Sequence, residues 1–110
     1  MDKKGIKVNI MMEQTFENGE KDYIIPEADV VADILCKQDK LCVVFEGRKM
    51  TFEVGKTHEY RYPVGGGEIL LFIETLELRQ DGNKFDVTYK ISDPNGGLIS
   101  NNKLKMELKI

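Results

Sequence analysis

The sequence contains few of the residues from which catalytic and metal centres are built. Among its 110 residues there are no tryptophans, two cysteines and one histidine, His58. Cys36 and Cys42 form a C-x5-C pair without a further cysteine or a neighbouring histidine, so we expect neither a metal site nor a cofactor. No serine lies in a nucleophile-elbow motif. A non-enzymatic protein without catalytic residues is therefore favoured over an enzyme that uses His58 and Glu74.

Clustered positive charge and long apolar runs are also missing. The 16 basic and 19 acidic residues give a net charge of −3 and are interleaved, with no basic run longer than Lys3-Lys4. Phosphate binding needs clustered cations, so we expect no nucleic-acid partner. No run reaches the roughly 18 apolar residues of a membrane span. The N-terminus alternates apolar and polar residues and lacks the h-region of a signal peptide. We expect no membrane partner and a cytoplasmic address.

The two cysteines are close enough in sequence to belong to one hairpin. If a three-residue turn is centred on Asp39, Cys36 and Cys42 face each other across that hairpin. A cross-strand disulfide would then fit, but a reducing cytoplasm favours two free thiols.

Alternation of apolar and polar residues with period two covers most of the chain and predicts short β-strands. It is clearest in four series: Ile6, Val8, Ile10, Met12; Met50, Phe52, Val54; Phe85, Val87, Tyr89, Ile91; and Leu104, Met106, Leu108, Ile110. Turn signals separate the strands, at Asn18-Gly19, Gly47-Arg48, Gly55-Lys56, Asp81-Gly82-Asn83 and the segment from Asp93 to Gly97. The pattern predicts an all-β fold, an antiparallel up-and-down β-barrel of about eight strands, as one domain over residues 1–110. We expect the last strand to pair with the first, which removes both sheet edges.

The segment from Pro26 to Lys40 supports two interpretations. Pro26 at a first helical position, with Glu27 and Asp29 in the first turn, would suit a short helix. The β-branched residues that follow favour a strand, because Ile34 and its neighbours could pair with the apolar run that begins at Leu41. We predict a strand, with helical geometry confined to the residues just after Pro26.

The longest apolar strand is predicted from Glu68 to Arg79. Within it, the side chain of Glu74 could point either into or out of the barrel. The pattern of this strand settles to Leu76 and Leu78 facing inward, and Glu74 is in phase with them. On that phase the carboxylate would point into the barrel, where it must pair, protonate or contact a ligand. A register break in the middle of the strand would place Glu74 outside, and we favour this alternative.

The C-terminal half has a pattern of turns and strands that resembles a known family. The positions that carry it are Phe52, Gly55, His58, Tyr62-Pro63-Val64-Gly65, Thr75, Tyr89 and Ser100-Asn101-Asn102, although the threonine that the family has before the proline is missing. The pattern is similar to that of the YwiB-like family of small bacterial proteins, a domain of unknown function with a calycin-like (lipocalin-like) β-barrel. The resemblance implies that barrel in a shortened form. It implies no activity, because none is established for the family.

Five residues are candidates for contacts with a ligand. His58, Tyr60 and Tyr62 are in phase on one predicted strand, and histidine is the residue type that titrates near neutral pH. Glu74 and Arg48 are the charged candidates, with Arg48 and Arg61 as partners for a buried carboxylate. The structural alternative is that His58 packs or bonds locally. Gly65-Gly66-Gly67 is followed by a strand, not by a helix N-terminus, so it is predicted to be a turn and not a phosphate-binding loop.

Two hypotheses for function follow from a small barrel of this kind. The first is non-enzymatic binding of a small, partly apolar ligand in the barrel or at its mouth. The second is a protein-interaction module, or a homodimer, that pairs through an exposed strand edge or sheet face such as one carrying Met11 or Ile69.

Overall fold

A computed structural model of the chain describes residues 5–16, 18–37 and 39–109, and these residues form eight β-strands in one antiparallel sheet. The strands are β1 (Ile6–Thr15), β2 (Lys21–Lys37), β3 (Lys40–Phe45), β4 (Arg48–Glu53), β5 (Thr57–Val64), β6 (Gly67–Asp81), β7 (Lys84–Ser92) and β8 (Leu98–Leu108). No helix occurs within the described ranges. The predicted all-β fold is confirmed.

The strand order is β4-β3-β2-β1-β8-β7-β6-β5, so every neighbour in the sheet is also a neighbour in sequence except β1 and β8. Those two pair along a ladder from Val8↔Leu108 to Thr15↔Asn101, as predicted. The ladder brings the two ends of the sheet, β4 and β5, side by side. The result is an up-and-down antiparallel sheet that is nearly closed into a barrel, with a seam between β4 and β5.

The interior is filled by the residues that alternate inward on each strand, because successive side chains of a strand point to opposite faces. Phe52 on β4 contacts Tyr89 on β7 across the barrel, with ring centroids 4.9 Å apart in an edge-on arrangement. Both side chains are at most 1% exposed. The other large side chains that are fully buried are Val8, Ile10, Met12, Leu41, Val43, Met50, Ile73, Val87, Asn102 and Leu104.

The segment after Pro26 is a strand, and the helical alternative is wrong. β2 runs without interruption for 17 residues. Pro26 lies where the register with β1 shifts, since Met12 pairs with Ile25 but Ile10 pairs with Ala28. A bulge is one of the few places in a sheet that accepts a residue without an N–H donor, which explains how the strand passes through Pro26.

A second bulge determines the direction of Glu74. Ile73 and Thr75 are buried while Glu74 is exposed, so the register break places this carboxylate outside the barrel. The register with β7 shifts between Thr75 and Glu77. Leu76 is the extra residue and is 45% exposed, so the prediction that it faces inward was wrong; the same shift returns Leu78 to the core.

The pairing of β2 with β3 shows that Cys36 and Cys42 do not face each other across the hairpin. Lys37 pairs with Lys40 and Cys36 pairs with Leu41, so the predicted three-residue turn is wrong. Cys42 pairs with Leu35 and therefore lies on the other face of the sheet from Cys36. Both thiols are free.

The contact between Phe52 and Tyr89 provides a test of the fold. Phe52→Ala should lower the free energy of unfolding by about 3–5 kcal/mol, because it opens a cavity in the centre of the barrel. Val31→Ala is the control, since Val31 is 65% exposed, and should cost less than about 1 kcal/mol. Urea unfolding followed by circular dichroism measures both. Equal losses in the two variants would contradict the filled interior.

Candidate functional site

Along the barrel axis, the inner surface changes from apolar to polar. One row of strand partners is apolar and consists of Met12, Leu104, Val87 and Leu78. The next inward row is polar and consists of Gln14, Asn102, Tyr89 and Thr75, which are successive partners on β1, β8, β7 and β6. We call these four residues the polar row. It lies toward the end of the barrel at which β4, β6 and β8 begin.

A cavity of about 330 Å³ opens at that same end, and we call it the mouth cavity. Its walls are mainly apolar and aromatic, with Gln14 of the polar row and Ser100 as its polar members. The lining residues are Gln14, Tyr23, Tyr60, Tyr62, Leu71, Ile91, Ile99 and Ser100. The mouth cavity therefore adjoins the polar row.

Several polar atoms at this level are buried without a hydrogen-bond partner among the described residues. They are the Tyr89 hydroxyl, the Ser100 hydroxyl and both side-chain atoms of the Asn102 amide. The three residues are no more than 2% exposed. Asn102 lies close enough to the Tyr89 phenol to offset part of the rise in the pKa of that phenol. The two side chains nevertheless do not reach hydrogen-bond geometry. An unsatisfied buried polar group is costly, so this set of atoms requires an explanation beyond packing.

Burial keeps the phenols of the site protonated. Loss of hydration raises the pKa of Tyr60 to about 12 and raises the pKa of Tyr89 further, and the nearby Arg48 charge opposes both shifts. Neutral phenols can donate as well as accept hydrogen bonds. At neutral pH both hydroxyls are therefore available as donors.

Arg48 enters the barrel at the same end. It alternates with the buried Met50 and Phe52 on β4, so its side chain points inward. The guanidinium carbon lies 5.3 Å from the centroid of the Tyr62 ring and 6.0 Å from that of Phe45. Both distances are within cation–π range. Nε and Nη1 are buried and have no hydrogen-bond partner in the described part of the chain.

His58 lies at the seam and not at the mouth. Its Nε2 is 2.9 Å from Oε1 of Glu53, so the pair links the end of β4 to the start of β5. The hydrogen bond from His58 holds the pKa of the Glu53 carboxyl below its ordinary value of 4.5, and Lys56 and Lys40 add to this effect. The local, structural interpretation of His58 agrees with this contact.

The structure brings together three of the five predicted candidates. Tyr60 and Tyr62 line the mouth cavity with ring centroids 6.0 Å apart, and Arg48 contacts Tyr62. Glu74 lies on the outer face, where it pairs in register with Lys90 and Thr57. His58 is not among the lining residues.

Sequence reasoning missed Tyr89, Ser100 and Asn102 as members of the site. The signal was present, because Ser100 and Asn102 are in phase with Leu104 and Met106 on β8. Extending that phase by two steps toward the start of the strand would have placed both polar side chains inside.

Among known proteins, similarity to this chain is found in the solved structures. No family model matches the chain, and no curated protein matches it. Among solved structures, the crystal structure of the ywiB protein from Bacillus subtilis is similar, with a TM-score of 0.49 and 16% sequence identity. The match covers 96% of this chain and 93% of that chain. Within the residues described, no helix has the length and apolar character that crossing a membrane requires.

The pair at the seam predicts a specific titration. Replacing His58 with Leu removes the bond that lowers the Glu53 pKa, so that pKa should rise toward 4.5. In the wild type the ionised carboxylate stabilises the fold above pH 4.5, and this contribution is lost as the pH falls through the lower pKa of the folded state. His58→Leu should therefore lose less stability on acidification. Carboxyl NMR titration and urea unfolding at acidic pH measure the two effects.

A matched control separates this bond from general surface charge. Arg79→Leu breaks the exposed contact between Arg79 and Glu77, whose atoms are 3.1 Å apart, and should leave the titration of Glu53 unchanged. If Glu53 titrates identically in the wild type and in His58→Leu, the bond is not the cause of the lowered pKa.

Proposed function

We propose that this protein binds a small, partly apolar molecule in the mouth cavity without transforming it. The observation that carries the proposal is the combination of an apolar-walled opening with buried polar atoms that lack partners beside it. Ser100 belongs to both, since it lines the cavity and its hydroxyl is unsatisfied among the described residues. A bound molecule would supply the missing hydrogen bonds.

The size and composition of the cavity support a small ligand. Ligand pockets span about 300–1,000 Å³ and are mostly apolar with a few placed polar groups. The mouth cavity, at about 330 Å³, lies at the lower end of that range. Leu71, Ile91 and Ile99 offer apolar contacts, and Tyr60 and Tyr62 offer aromatic edges and faces.

Binding without chemistry suits the residues that line the cavity. They supply hydroxyls, an amide and apolar surface, and none of them is a carboxylate or a histidine. General acid–base catalysis needs such a group within hydrogen-bond reach of the substrate. We also propose that the barrel is calycin-like, of the kind found in the YwiB-like family. We further propose that the protein is bacterial and cytoplasmic, since the free Cys36 and Cys42 would remain reduced in the cytoplasm.

A second candidate function is a homodimer through the outer face of β2 and β3. Val31 and Leu35 point outward from β2 and are 65% and 53% exposed. Leu35 pairs with Cys42, and Val44 lies two residues further along the same face of β3. Asp33 lies between Val31 and Leu35 on this face and pairs with Val44. Exposed apolar side chains grouped around polar residues are typical of contact surfaces.

Native mass spectrometry of protein purified without denaturation distinguishes the two functions. A co-purified small molecule on the monomer supports ligand binding. A dimer without any bound molecule contradicts ligand binding. If Val31→Lys then converts that dimer to a monomer, the homodimer through the outer face of β2 and β3 is supported.

Filling the cavity tests the location of binding. Leu71→Trp should abolish retention of the co-purified molecule, because the indole occupies the mouth cavity. Leu70→Trp is the matched control, since Leu70 is the adjacent residue and points to the opposite face of β6. The chain has no other tryptophan, so the fluorescence maximum of each variant reports whether the new side chain is buried. Retention of the molecule by a folded Leu71→Trp protein would contradict the mouth cavity as the site.

A further inference from the structure

Arg48 is a cation on the inner face of the barrel without a counter-ion. No described carboxylate forms an ion pair with it, and none of the residues that line the mouth cavity is acidic. Asp22 pairs in register with Gln14 at the rim of the barrel, but it is exposed and its carboxylate accepts a bond from the Tyr23 amide. The charge of Arg48 is therefore left uncompensated.

The surroundings of Arg48 stabilise its charge only in part. The Tyr62 and Phe45 rings provide cation–π contacts. They do not accept the hydrogen bonds of Nε and Nη1, which are buried without partners in the described chain. Buried donors on a charged group carry a larger penalty than neutral ones. An anion would remove that penalty and would form charge-assisted hydrogen bonds.

Arg48 does not itself line the mouth cavity, but it lies behind one of the lining residues, Tyr62. That side chain contacts the guanidinium and also lines the cavity. The neighbouring hydroxyls of Tyr60, Tyr89 and Ser100 can donate hydrogen bonds at neutral pH. A cation with neutral hydroxyl donors in the same region suits an acidic group, because each of these groups can donate a hydrogen bond to a carboxylate oxygen.

We infer that the ligand of the mouth cavity is a small organic carboxylate, with its acidic group toward Arg48 and its apolar body against Leu71, Ile91 and Ile99. The inference rests on the proposed function and adds the chemical class of the ligand. A carboxylate on an apolar body fits better than a free inorganic anion, since most of the cavity wall is apolar or aromatic.

Matched probes test the acidic group separately from the apolar body. Phenylbutanoate, its neutral amide phenylbutanamide and inorganic phosphate are titrated into isotope-labelled protein, and amide shifts of the residues around Tyr62 and Ser100 report binding. The carboxylate should bind about tenfold or more tightly than the amide, because its bonds to Arg48 are charge-assisted. Inorganic phosphate should bind more weakly than phenylbutanoate, because it makes no apolar contact.

Variants at Arg48 identify the group that recognises the acid. Arg48→Met should remove the preference for phenylbutanoate over phenylbutanamide. Arg48→Lys keeps the positive charge but loses the planar guanidinium with its paired donors. It should retain a weakened preference for phenylbutanoate over phenylbutanamide. Arg61→Met makes the same change of charge at an outward-facing residue of β5 whose side chain is 60% exposed, and should leave the preference intact.

The outcomes separate this inference from the proposed function. Equal binding of acid and amide at the mouth, or a preference that survives in folded Arg48→Met, overturns the carboxylate and leaves ligand binding standing. Phosphate that binds as tightly as phenylbutanoate also overturns the carboxylate class. If no probe binds and the purified protein carries no small molecule, both the inference and the proposed function fail.

Discussion

The ladder between β1 and β8 is the interaction on which the rest of the structure depends. Each other pair of strands in the sheet is a hairpin of sequence neighbours, and these hairpins alone would give two separate four-stranded meanders. The β1–β8 ladder joins residues from opposite ends of the chain, so its formation carries the largest loop-closure entropy in the fold. Once it forms, two half-buried sheet faces become one interior, and β4 meets β5 at the seam.

The same ladder aligns the site. Gln14 opposite Asn102 fixes the register from which the polar row continues to Tyr89 and Thr75. Because side chains alternate with a period of two, a slip of one residue would turn this row outward and would place its outward neighbours inside. The apolar row that contains Met12 and Leu104 opposes such a slip, since its burial depends on the same register. The core thus holds the polar atoms in place.

The sequence predicts the strands well. The phase of Glu74 also favoured a register break in β6, but the sequence neither located that bulge at Leu76 nor predicted the one near Pro26. Alternation such as that of Phe85, Val87 and Tyr89 is local, and so are the glycine turns, so both can be recognised without knowing what packs against them. A bulge has no comparable local signature. The register shifts near Pro26 and Leu76 arise between strands, and the direction of Glu74 follows from one of them. The site residues Ser100 and Asn102 were recoverable from phase alone, whereas the contact of Arg48 with Tyr62 required the closed sheet.

Closure at the seam rests on side chains and on backbone hydrogen bonds between Thr75 of β6 and the turn that follows β4. The Gly55 N–H donates to the Thr75 carbonyl, and the Thr75 N–H donates to the Lys56 carbonyl. Among the described residues no backbone ladder pairs β4 with β5. Glu53 and His58 join these strands at one end of the seam, and Arg48 with Tyr62 joins them at the other. Arg48 therefore contributes both to barrel closure and to the candidate site. A ligand that binds Arg48 and Tyr62 together binds only the closed arrangement, and by linkage it would stabilise the seam in proportion to that selectivity.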